Sequence, residues 1–68
     1  MEPALQMAKT KAGGDAKLAR ELGISIQAVW QWKRVPVTRV LDVERITGVP
    51  RHELRPDFYP PPINGGGS

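Results

Sequence analysis

Gln27, Gln31 and Arg34 follow one another at spacings of four and three residues, so on a helix they lie along one face. Their chemistry is hydrogen bonding and charge. A glutamine amide can pair bidentately with adenine in the major groove, and an arginine can reach a guanine or, near a helix end, a phosphate. Ile26 and Trp30 share this arc, while Ser25, Val29 and Trp32 lie on the opposite side. An exposed apolar pair of that size signals contact with a partner. Thymine methyls and sugars in the groove are the favoured partner, and a protein surface is the alternative.

Little else in the chain could do chemistry. His52 is the sole histidine and there is no cysteine, so neither a metal site nor a disulfide is expected. Asp42 and Glu44 are two residues apart, which puts them on different faces of a helix. No nucleophile is paired with a base, and Gly13-Gly14 reads as a helix break, not a phosphate cradle. The expectation is a binding protein without cofactor or enzymatic activity.

The elements that position the candidate face are short helices. Pro3 to about Lys11 is helix-forming, with Leu5, Ala8 and Ala12 on one side, until the glycine pair stops it. Asp15 is placed to cap a second helix, Ala16 to Leu22, whose Leu18, Ala19 and Leu22 form a buried stripe ending at Gly23. Only Ile24 and Ser25 separate this glycine from a third helix, Ile26 to about Lys33, with Ser25 as its N-cap. Ala19 is small where the two helices cross, and Val29 and Trp32 pin the third helix to the core. Helix, tight glycine turn and helix over Asp15 to Arg34 is the arrangement that lays a recognition helix in the major groove. An ordinary helical hairpin in a small bundle would use the same apolar spacing.

Pro36 begins a fourth helix, with Val37, Val40, Leu41 and Ile46 as its apolar side and Gly48 as its end. A fifth turn spans Pro50 to Leu54. The predicted fold class is therefore all-α, four to five short helices in one domain over residues 1–59. Residues 60–68, Pro-rich and then Gly-rich, read as a flexible tail or fusion scar.

The net charge of +3 is uneven. Residues 1–34 carry six basic against three acidic side chains, whereas 35–68 balance four against four. An anionic partner is drawn to the first half, and Lys9, Lys11, Lys17, Lys33 and Arg34 are the candidates for phosphate contacts. No apolar run approaches the ~20 residues that cross a bilayer, and the start lacks the pattern of a signal peptide. The cytoplasm is the expected location.

From about Asp15 to Pro60 the chain resembles the Cro-like repressors of temperate phages and, more closely, the YdaS-type antitoxins of toxin-antitoxin modules. The resemblance rests on LARELGISIQAVWQWKRVP and on RHELRPDFYP, Arg51 to Pro60, the second being the more particular to the group. It implies a lambda-repressor-like bundle with a helix-turn-helix, operator DNA as ligand and autoregulation of a phage or toxin-antitoxin operon. By it, Ser25, Ile26, Gln27, Trp30 and Gln31 occupy the positions that touch bases or neighbouring phosphates. Three residues differ from the family's usual choices: Ile26 and Trp30 replace polar residues, and Asp15 replaces glutamine.

One recognition helix reads few base pairs. At ~1 to 3 kcal/mol per bidentate contact it falls short of the ~4 to 10 kcal/mol that separates specific from non-specific binding. A two-fold homodimer on a pseudo-palindromic double-stranded operator, with recognition helices about 34 Å apart, is the expected remedy. Helices four and five and the segment with Leu54, Phe58 and Tyr59 are its candidate interface, although these residues could equally cover the monomer's own core. The rival is a protein-interaction module that uses Ile26 and Trp30 to grip a partner such as a cognate toxin.

Overall fold

The structure, a computed structural model, describes residues 3–61. Five α-helices follow in order: α1 Pro3–Ala12, α2 Asp15–Leu22, α3 Ile26–Trp30, α4 Val40–Thr47 and α5 Arg51–Leu54, with a 3-10 turn Val37–Arg39 leading into α4. The fold is all-α, with α2 and α3 forming the helix-turn-helix. The tail expected at 60–68 lies, from Pro62 onward, outside the described residues.

Two apolar clusters hold the bundle. The first gathers Leu5 and Ala8 of α1, Val35, Val40 and Val43, Val49 and Leu54. The second, under the helix-turn-helix, contains Ala12, Leu18, Ala19 and Val29. Leu22 and Trp32 pack against both, so they join the platform of the turn to the rest of the core. Side chains that span two clusters transmit the position of one to the other because interiors are close-packed.

Each helix end has a local cause. Gly23 sits in the left-handed region at φ 74°, where its N–H donates to the Arg20 carbonyl at 3.1 Å and the next N–H, of Ile24, donates to Ala19 at 3.0 Å. This pair of bonds, with Ile24 packed on the cluster that holds Ala19, is the Schellman arrangement. Ser25 then caps α3, its Oγ accepting from the Ala28 N–H at 3.2 Å.

Four expectations need correction. The residue before α2 is Gly14, and no side chain caps this helix. Asp15 instead opens its first turn, where a carboxylate is favoured by the helix dipole, and lies 3.6 Å from the Lys9 Nζ. α3 ends at Trp30, three residues earlier than expected, with Gln31 as its C-cap. Pro36 bars the residue before it from the helical region, and the chain must leave the helix in time to bury Val35. Leu41 is 50% exposed, because Val40 and Val43 take the buried side of α4. Ile26 is half-buried against the second cluster, so it does not form an exposed pair with Trp30.

Candidate nucleic-acid interface

The second helix of the helix-turn-helix is a short stage with a fixed base and an open top. Val29 is fully buried beneath it and Trp32, just beyond its end, is wedged between the two clusters. On the other side Gln27, Trp30 and Gln31 are all exposed, Trp30 by 57%. Gln27 and Gln31 are one helical turn apart, and the Gln31 N–H still donates to the Gln27 carbonyl at 3.1 Å, so the pair keeps helical register although Gln31 is only the cap. The arrangement offers two amides flanking an indole, with Ser25 exposed at the start of the helix and Ile26 half-buried at its edge. Chemically, such a face can form bidentate bonds to base edges and apolar contacts to methyl groups.

The five candidate cations separate into two groups. Lys11, Lys17 and Lys33 are exposed, and Lys17 lies beside the Gly13 turn, where its Cδ would be 3.2 Å from a Cβ at that glycine. Lys9 is only 6% exposed and pairs with Asp15, so it ties α1 to the start of α2. Its burial was legible, since Leu5, Ala8, Lys9 and Ala12 complete an i, i+3, i+4, i+7 stripe. Arg34 is half-exposed in the bend after α3, with Nη1 3.4 Å from Oδ2 of Asp57. Among the described residues no cluster of three or more His, Cys, Asp or Glu side chains could hold a metal ion. Among the described residues no helix is long and apolar enough to cross a membrane.

A family model described as bacterial toxin YdaS matches residues 5–63, which takes in α2 to α5, all but the first two residues of α1, and both quoted motifs. The chain belongs to the YdaS family. Its structure is also similar to that of the Cro protein from the Xfaso 1 element of Xylella fastidiosa strain Ann-1, with a TM-score of 0.75 and 40% identity over 84% of this chain and 94% of that one. No curated protein matches. The Cro-like helix-turn-helix expected from the sequence is thus the fold of this YdaS-family chain.

In the YdaS-family chain the segment RHELRPDFYP, Arg51 to Pro60, forms a strap that runs from α5 back to the exit of α3. Arg51 bonds Glu44 twice, through its backbone N–H and its Nε, each at 3.1 Å, and its guanidinium carbon lies 5.7 Å from the centre of the Tyr59 ring. Arg55 donates from Nε and Nη2 to the two oxygens of Asp57, at 2.9 and 2.7 Å, and from Nη1 to the Val35 carbonyl at 3.1 Å. The Arg55 hydrogen bonds lower the Asp57 carboxyl from its usual 3.8 to about 2, with Arg34 adding a smaller attraction. Leu54 and Tyr59 belong to the monomer's core, whereas Phe58 is 56% exposed and meets Tyr59 edge to face. No spacing in the sequence links Arg55 and Asp57 to Val35 and Arg34; only the folded chain brings them together.

Proposed function

We propose that the protein is a sequence-specific DNA-binding repressor that inserts α3 into the major groove of a pseudo-palindromic operator as a homodimer. The observation that carries this reading is the exposed trio Gln27, Trp30 and Gln31 on a helix whose opposite side is locked by Val29 and Trp32. In this reading the two glutamines read adenines, Trp30 covers thymine methyls, Ser25 bonds at the groove edge and Ile26 flanks the contact from its half-buried place. Lys11, Lys17, Lys33 and Arg34 meet phosphates, while Lys9 orients α1 against α2. The protein acts in the cytoplasm on a phage or toxin-antitoxin operon, as the family resemblance implies, and performs no catalysis.

A dimer supplies the second half-site. Leu41 and Phe58 are the large apolar side chains that the α4 half of the molecule leaves exposed, and they are the contacts proposed for it. The alternative, a module that binds a protein such as a cognate toxin, draws support from Trp30. It loses Ile26, which the second cluster already holds.

The test is titration of a labelled duplex at several salt concentrations. Affinity for DNA should fall with rising salt at a logarithmic slope of about −0.9 for each phosphate neutralised, and Lys17→Ala should reduce the slope by about one. Salt-insensitive affinity, or none, would favour the protein-binding alternative.

A further inference from the structure

The end of the recognition helix is tethered by a side chain from the other end of the chain. Asp57 receives both hydrogen bonds of the Arg55 fork, and Arg55 also holds the carbonyl of Val35, which is fully buried. Arg55 is itself mostly enclosed, its side chain 16% exposed, so the carboxylate is fixed from the core side. On its outer side the same Oδ2 that accepts from Arg55 faces Arg34 at 3.4 Å. Arg34 directly precedes Val35, so the strap grips both the backbone at the exit of α3 and the cation beside it.

We infer that Asp57 is a positioning residue for DNA recognition: anchored by Arg55, its carboxylate restrains the Arg34 guanidinium beside the recognition helix and thereby favours the correct site over random DNA. The inference rests on the reading of α3 as a major-groove helix. An unrestrained arginine reaches whichever phosphate is near and strengthens non-specific binding, which is electrostatic and indifferent to sequence. A restrained one contributes fully only in the register where a phosphate meets it.

The experiment compares affinities for a site selected from random duplexes and for an unselected duplex, using wild type, Asp57→Asn, Arg34→Ala and the double variant. Asp57→Asn should tighten binding to the unselected duplex and lower the ratio of specific to non-specific affinity by roughly twofold to fivefold, the scale of an exposed ion pair. In the Arg34→Ala background the same substitution should leave the ratio unchanged. An equal change in both backgrounds means that Asp57 acts only through the fold, and no change means that it positions nothing; either overturns the inference. Nitrogen-15 relaxation of the Arg34 Nε–H tests the tether without DNA and should show a side chain more ordered in wild type than in Asp57→Asn. An Arg34 equally mobile in both also overturns the inference. If wild type itself shows no salt-dependent affinity for duplex DNA, the underlying reading fails first, and the inference with it, before any variant is compared.

Discussion

The two tryptophans, separated by a single residue, face different environments: Trp30 stands in solvent and Trp32 is wedged between the clusters. Trp30→Ala should leave the melting temperature almost unmoved, since a surface change of this kind lies within about 0.5 kcal/mol, yet it should weaken DNA binding. Trp32→Ala should cost about 3 kcal/mol or more, a large share of what so small a core supplies, and thermal unfolding by circular dichroism distinguishes the two. Asp57 gives a pH signature with a definite sign. Its pKa is depressed in the folded state, to about 2 from 3.8, so its contribution is present above pH 4 and is lost as pH falls through 2. Urea midpoints of wild type and Asp57→Asn should therefore differ at pH 5 and converge as the pH approaches 2. At this scale the glutamines and Trp30 were legible from spacing alone, and so was the inward turn of Trp32. The partial burial of Ile26 was not, because a helical arc predicts direction but does not say how closely the neighbouring turn approaches.

At the scale of the element, the turn between α2 and α3 carries two features with separable energies. Gly23 needs a positive φ, so Gly23→Ala should destabilise by about 1 to 2 kcal/mol although no atom beyond the neighbouring residues lies within 4 Å of the added methyl. Ser25→Ala removes the cap that bonds Ala28 and should cost about 1 kcal/mol, with fraying at the start of the recognition helix. Chemical denaturation of each variant checks both values. The existence and order of the first four helices could be read from Gly13-Gly14, Gly23, Pro36 and Gly48, since glycine and proline act locally, although the chain after Pro36 first makes a 3-10 turn and the fifth helix was left open between four and five. Where α3 stops could not. The residues Lys33 and Arg34 continue an acceptable helical pattern, and it is the burial of Val35 and the fold of the strap around Arg55 that end it sooner.

Across the whole molecule, the surplus positive charge belongs to the half that contains the helix-turn-helix, while the α4, α5 and strap half is neutral; its ion pairs include Arg45 with Asp42, Arg51 with Glu44 and Arg55 with Asp57, which also reaches Arg34. Under the proposed function the first half attracts DNA and the second meets another copy. Phe58→Ser should shift sedimentation toward the monomer and lower operator affinity steeply while leaving the monomer's fold intact, because Phe58 lies outside both clusters. The charge asymmetry was visible in the sequence. The strap was not, because its partners lie some twenty residues away along the chain and no periodicity links them.

In the proposed function two copies of α3 read one major-groove sequence together. Selection of binding sites from random duplex DNA tests it most directly. An inverted repeat whose half-sites lie one helical turn apart should be enriched, with altered base preference after joint replacement of Gln27 and Gln31. Recovery of no common sequence, or of one that the Gln27 and Gln31 replacements leave unchanged, would contradict it.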